Sequence, residues 1–134
     1  MSEPFSLHGS ASAAGPVTLR AAEYPRDAAR TVAIYNTWSL EPTTVEAVME
    51  QSARVVVGKR QHRLVALNAA GDVIGYAEAT HTPWQSAGHY EVEHCVDRAW
   101  RGIGAGDALW SAMLARLRAE GAAQIEVQLR DNEP

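Results

Sequence analysis

The stretch Val96-Asp97-Arg98-Ala99-Trp100-Arg101-Gly102-Ile103-Gly104-Ala105-Gly106 decides how this chain is read. A strand-like run breaks there into an Arg–Gly turn, and the turn opens a strongly amphipathic helix. Glycines at three alternate positions leave peptide N–H groups uncovered by side chains. The helix that follows adds the positive end of its macrodipole, so the turn is shaped to hold phosphate oxygens. A nucleotide or a coenzyme is the first ligand to expect.

The segments on either side fix what kind of fold carries the turn. Before it, His89 to Val96 alternates cleanly, with Tyr90, Val92, His94 and Val96 on one face and Glu91, Glu93 and Cys95 on the other. After it, Asp107, Ser111, Ala115 and Arg118 form the wet stripe of a helix opposite Leu109, Trp110, Met113, Leu114 and Leu117, and Gly121 ends that helix. Gln124 to Leu129 alternates again through Ile125, Val127 and Leu129. A strand returning after a helix of this length lies parallel to the one before it.

Further out, Leu64-Val65-Ala66-Leu67 and Val73-Ile74-Gly75-Tyr76-Ala77 flank Asn68-Ala69-Ala70-Gly71-Asp72, the signature of an antiparallel hairpin. Val17 to Arg20 reads as a half-buried strand, and Pro25 stands where a first helix can begin. Within that helix Ala28, Val32 and Tyr35 share one stripe, and Ile34 and Trp38 an adjacent one. Thr43 and Glu46 have capping-box spacing ahead of a second short helix marked by Val45, Val48 and Met49. Val55-Val56-Val57 belongs to no clear element. Residues 1–16 are rich in Ser, Ala and Gly and read as a flexible tail before a domain spanning 17–134.

Composition narrows the function classes. The 134 residues suit one domain, and 16 acidic against 12 basic residues, the latter scattered, offer no basic face for a nucleic acid. Cys95 is the only cysteine, which rules out an internal disulfide and a cysteine-rich zinc centre. No metal is expected. The start, Met1-Ser2-Glu3-Pro4-Phe5, lacks the basic end and apolar run of a secretory signal, and no apolar run approaches the ~20 residues of a membrane span, so a cytoplasmic protein without a membrane partner is expected. Rival readings of the glycines fail on context: a dinucleotide fingerprint starting at Gly102 would need Gly or Ala where Asp107 stands, and a P-loop would need Gly-Lys-Ser/Thr.

Val96, Trp100, Arg101, Gly102, Gly104 and Gly106, followed by Ala108-Leu109, resemble the acetyl-CoA signature of the GNAT superfamily of N-acetyltransferases, with core pattern R/Q-x-x-G-x-G/A. The order strand, two helices, hairpin, strand, helix, strand agrees with it. The resemblance covers Val17 to Pro134 and implies an α/β (α+β) fold with a mixed sheet and a central strand–turn–helix coenzyme site. Family domains continue past this point with a helix and two further strands. The sequence reading therefore expects a C-terminally incomplete domain, one that invites self-association or pairing with a second acetyltransferase-like domain.

The resemblance also implies chemistry. Amides of Arg101, Gly102, Ile103, Gly104, Ala105 and Gly106 would bind the pyrophosphate of acetyl-CoA, and the pantetheine arm would pair with main chain around Cys95, Val96 and Asp97. An amide near His94 to Val96 would hold the acyl carbonyl and stabilise its oxyanion. The acceptor, a primary amine of a small molecule or peptide, attacks directly after losing a proton, and Glu91 and Glu93 are the candidate bases, with surface charge as the plain alternative. Burial beside the coenzyme would raise their pKa values toward a useful range. His94 points to the other face unless a bulge inverts it. Trp38 and Trp84 are candidate walls for the acceptor, although the spacing of Ile34 and Trp38 also suits a core, and Glu41 is a candidate contact for a cationic amine. For Cys95 the sequence identifies no convincing histidine base, and it reads as a small buried residue. A non-catalytic module of the same fold, such as one half of a tandem acetyltransferase, stands as the alternative to an enzyme, with a generic nucleotide-binding module behind it.

Overall fold

The computed structural model describes residues 16–128. The flexible-tail reading of residues 1–15 and everything expected of residues 129–134 lie outside that range. Five strands form one sheet in the order β1 (Thr18–Ala21), β2 (Arg60–Leu67), β3 (Val73–His81), β4 (His89–Val96), β5 (Gln124–Gln128). The first three neighbour pairs are antiparallel and β4–β5 is parallel, so the sheet is mixed and the fold is α/β as the alternations imply. Three helices, α1 (Ala28–Trp38), α2 (Val45–Ala53) and α3 (Ala105–Ala119), complete the described chain, with a single 3-10 turn at Arg98–Trp100.

The sheet separates two cores. Leu109, Met113 and Leu117 of α3 are fully buried against Leu64, Ala77, Ala79, Tyr90 and Val92. Burying each of these large α3 side chains is worth about 1.5–3 kcal/mol. On the opposite face Ile34 and Trp38 of α1 pack with Val65, Val73 and Cys95. Gly75 of β3 is required where α3 crosses: a Cβ there would come within 3.0 Å of the Cys95 carbonyl and 3.2 Å of Leu109 Cδ1. Helix α2 buries none of its residues and stands at the rim, tied by the Arg63 Nη2–Ser52 Oγ bond of 2.9 Å.

Two expected helix starts are displaced, each for a visible reason. Pro25 lies in a turn ahead of α1 and is not its first residue. Asp27 holds that turn, accepting from the Glu23 amide at 2.7 Å and from both terminal nitrogens of Arg20 at 2.7 and 2.9 Å, so the helix starts only at Ala28. Similarly, the N-cap of α2 is Thr44, whose hydroxyl accepts from the Ala47 amide at 3.0 Å. Thr43 cannot pair with Glu46 in a capping box because its amide and carbonyl are both engaged by the Asn36 side chain, at 2.9 and 3.0 Å.

The Arg20 guanidinium, with the Glu23 amide, holds the Asp27 carboxyl below the usual carboxylate range in spite of its burial. A carboxyl with a depressed folded pKa contributes stability that is present above its unfolded value of about 3.9 and lost as pH falls through the folded value. Asp27→Asn is therefore expected to cost about 1.5–3 kcal/mol at neutral pH, as a lost charge-assisted pair, and to flatten the acid limb of stability below about pH 4. Urea unfolding of both proteins across pH 3–7 checks this; equal stability losses at both ends would remove Asp27 from the acid transition.

Candidate active site

The end of β4 is pinned before the chain enters the glycine turn. The Asp97 amide donates to the Ile74 carbonyl at 2.8 Å, and Trp38 Nε1 donates to the Val96 carbonyl at 2.7 Å. The Asp97 carboxylate accepts from the Ala99 amide at 2.9 Å and pairs with Arg30 Nη2, while Arg30 Nε donates to the Val73 carbonyl at 2.9 Å. Burial works against the charge on Asp97, but the Ala99 amide and Arg30 outweigh it and hold the carboxyl below its ordinary value. Helix α1, through Arg30 and Trp38, thus fixes where β4 stops.

Beyond that anchor the turn is open. Gly102 and Gly104 have φ of 86° and 94°, conformations that side chains disfavour, and a Cβ on Gly102 would meet nothing within 4 Å. The backbone hydrogen bonds that flank the turn are those of the Trp100 amide to the Asp97 carbonyl at 2.9 Å and of the Ala108 amide to the Gly104 carbonyl at 3.0 Å. Helix α3 starts at Ala105, so its first amides have no partner one turn back. A cavity of about 410 Å³ lies over them, lined by Arg101, Gly102, Gly104, Ala105 and Gly106, by Cys95 and Val96, and by Trp38, His94, Trp100 and Asp107.

The expected coenzyme contacts divide accordingly. Seven of the nine (Cys95, Val96, Arg101, Gly102, Gly104, Ala105, Gly106) line this cavity, whereas Asp97 and Ile103 do not. Asp97 is engaged by Ile74, Ala99 and Arg30, and the Ile103 side chain packs on the core beneath α3. Trp38, expected as a wall for the acceptor, lines this cavity together with the expected coenzyme contacts. It is 4% exposed, and the Arg98 guanidinium lies 3.8 Å from its ring centroid.

A second cavity of about 530 Å³ occupies the α1–α2 side of the sheet. Glu91 and Glu93 both line it, as does Trp84, which is 76% exposed. Strand alternation holds without a bulge in β4: its pairing with β3 runs unbroken from Thr80↔Glu91 to Gly75↔Val96, and His94 faces α3, its ring centroid 6.2 Å from that of Trp110. Glu91, Glu93 and Cys95 therefore lie along one face at intervals of roughly 6.6–6.8 Å, linking the two cavities. Gln85 Nε2 donates to Glu91 Oε2 at 3.0 Å, and the Tyr76 hydroxyl donates to Glu93 Oε2 at 3.1 Å. Glu41 is exposed and does not line this cavity.

Sequence reading missed Glu78, Tyr76 and Arg63 in this cleft. Glu78 faces Glu93 across the β3–β4 register and accepts from Arg63 Nε at 2.7 Å and Gln61 Nε2 at 2.9 Å. The alternation Tyr76-Ala77-Glu78-Ala79-Thr80 carried the signal: Ala77 and Ala79 are buried under α3, which sends the polar set to the cleft. Arg30 was missed too, and its pairing with Asp97 has no local sequence signal because 67 residues separate them.

The family model of the Acetyltransferase (GNAT) family matches residues 24–134, and the chain belongs to that family. Among solved structures, a protein provisionally named as a phosphinothricin N-acetyltransferase is 31% identical, with a TM-score of 0.69 over 83% of this chain and 70% of that one. A phosphinothricin acetyltransferase from Sinorhizobium meliloti, solved in complex with AcCoA, is 27% identical, with a TM-score of 0.66 over 77% of this chain and 60% of its own. A GCN5-related N-acetyltransferase from Kribbella flavida shares the fold at 23% identity and a TM-score of 0.64, covering 79% of this chain and 67% of that one. No match was found among curated proteins.

Trp38→Phe keeps the packed ring and removes the donor to Val96. Leaving that carbonyl unpaired at the end of β4 is expected to cost about 1–3 kcal/mol in urea unfolding. A loss below 0.5 kcal/mol would show that the bond does not anchor the strand.

Proposed function

We propose that this chain transfers an acetyl group from acetyl-CoA to a primary amine of a small molecule or peptide, by direct attack of the amine. One observation carries the reading: an open cavity at a glycine turn and helix start, and a second cavity with two carboxylates, are connected along a single face of β4. The neighbour solved with AcCoA and the N-acetyltransferase name of the 31% identical structure support the same ligand and reaction here.

The chain's residues divide the work. Amides of Arg101 to Gly106, with the positive end of α3 behind them, receive the pyrophosphate of the coenzyme. When bound, the coenzyme supplies an acetyl group already activated as a thioester. Cys95 and Val96 border its path from the turn toward the cleft, Cys95 as a small buried side chain. Glu93 stands one same-face position from Cys95 and Glu91 two, so either carboxylate can take the amine's proton, directly or through a water. Tyr76 orients Glu93, and Gln85 orients Glu91. A cleft of about 530 Å³ is of the size that holds a small molecule, and Trp84 offers it an apolar wall. No helix among the described residues is long and apolar enough to cross a membrane, and we place the activity in the cytoplasm on the strength of the coenzyme it uses.

Gly106 gives a clean test. Its φ is not in the left-handed region and a Cβ there would sit 3.7 Å from Val96 Cγ2, in ordinary contact, so Gly106→Leu folds while its side chain enters the phosphate path. Titration calorimetry is expected to show acetyl-CoA binding to the unaltered chain and at least tenfold weaker binding to the variant, at matched melting temperature. Absence of binding heat at high protein concentration would defeat the proposal. Thiol release with an amine panel then reads the chemistry: Glu91→Gln or Glu93→Gln should lower the rate by about 100-fold and flatten its rise with pH. Unchanged profiles in both would exclude them as bases.

A further inference from the structure

Glu91 and Glu126 are register partners on the parallel strands β4 and β5, and His89 precedes Glu91 by two residues on the same face. One ligand atom from each of the three lies within 4.8 Å of the others. We propose that His89, Glu91 and Glu126 form a binding site for a divalent transition-metal ion of the zinc type, at the β5 side of the acceptor cleft.

Three observations converge on it. The first is spacing. His89 Nε2 and Glu126 Oε1 are 3.3 Å apart, just beyond the range of about 2.7–3.2 Å for N–H···O bonds. With metal–nitrogen and metal–oxygen bonds of about 2.0–2.1 Å, two ligands of a tetrahedral ion are separated by about 3.3–3.4 Å. The pair is already set at that edge length, and a ligand oxygen of Glu91 lies within 4.8 Å of both.

The second is charge. Like charges at adjacent positions on neighbouring strands repel, and Glu91 and Glu126 are placed there by the register. Among the described residues, the hydrogen bond to Glu91 comes from a neutral amide, that of Gln85, and the basic group within 4 Å of either carboxylate is the His89 ring at Glu126. A divalent ion neutralises both.

The third is the surrounding shell. Ligating carboxylates are typically held by hydrogen bonds of their own. Gln85 holds Glu91 Oε2 through its Nε2 and is itself fixed by the Thr82 amide, which donates to Gln85 Oε1 at 2.9 Å. His81 Nδ1 lies 2.8 Å from the His89 carbonyl and steadies that end of the strand. An imidazole with two carboxylates suits zinc, cobalt or nickel better than calcium or magnesium, and three protein ligands leave a fourth position for water. The Glu126 side chain is 57% exposed, so the ion has a path from solvent.

The site stands apart from the acetyl-transfer reading. Only its consequence rests on that reading: an ion on Glu91 would occupy the oxygen lone pairs that a base needs, and zinc would inhibit. Binding is tested without acetyl-CoA, on the tag-free chain, with cobalt(II) followed by visible absorption and zinc(II) by calorimetry. About one ion per chain at micromolar affinity, with the intense absorption of four- or five-coordinate cobalt, is expected. His89→Ala and the surface substitution Glu126→Gln should each weaken binding at least tenfold at unchanged melting temperature, and His62→Ala should not. Absence of binding at millimolar metal, the pale spectrum of six-coordinate cobalt, or equal affinity in both variants would each overturn the site and leave His89 and Glu126 as an ion pair only.

Discussion

Everything at the centre of this structure depends on where β4 stops and α3 begins, because the first amides of a helix have no partner within it. A chain normally satisfies its N–H groups within the fold, and most of these strands and helices do so. At the start of α3 this chain leaves the helix's first amides open, and glycines of positive φ at 102 and 104 keep side chains off the approach to them. The rest of the molecule holds that turn in place. Arg30 and Trp38 of α1 anchor the end of β4, and Leu109, Met113 and Leu117 lock α3 behind it. An anion held there would be met by rigid dipoles, with little ordering left to do at the moment of binding.

The anchor is built from long-range contacts, which explains the pattern of what sequence could tell. The sheet, the hairpin about Asn68–Asp72, the parallel return of β5 and the glycine turn follow from periodicity and turn chemistry, which are local. So does the placement of Glu91 and Glu93 together on the face opposite Tyr90 and Val92. The partner of Asp97 is not local, and neither is the donor to Val96. Trp38 shows the limit well: helical spacing correctly places it in a packed stripe, but only the fold shows that its indole N–H reaches across to β4 and that its ring underlies Arg98. The two helix starts failed for a related reason. Asp27 and Thr43 are claimed by Arg20 and Asn36, and those contacts outweigh the capping preferences that a window of four residues displays.

Strand β4 acts as a divider with two chemistries. Its Tyr90–Val92 side is sealed under α3, while its Glu91–Glu93–Cys95 side runs from an open cleft to the cavity at the glycine turn. A one-residue slip would exchange the faces and put both carboxylates into the apolar core, at a desolvation cost no packing gain could offset. The strand's function and its folding therefore select the same register.

That register also crowds Glu78, Glu91, Glu93 and Glu126 into one region of the sheet surface, with Arg63 committed to Glu78. Before any ligand is held, such a region has a field. The cleft is also lined by Arg54 and Lys59, so both signs of charge face it, and over the Debye length of about 8 Å at physiological ionic strength its field orients a dipolar solute more than it concentrates ions of either sign. A molecule that carries charges of both signs would thus be turned before it touches a wall, its two ends sorted by the same strand register that sorts the faces of β4.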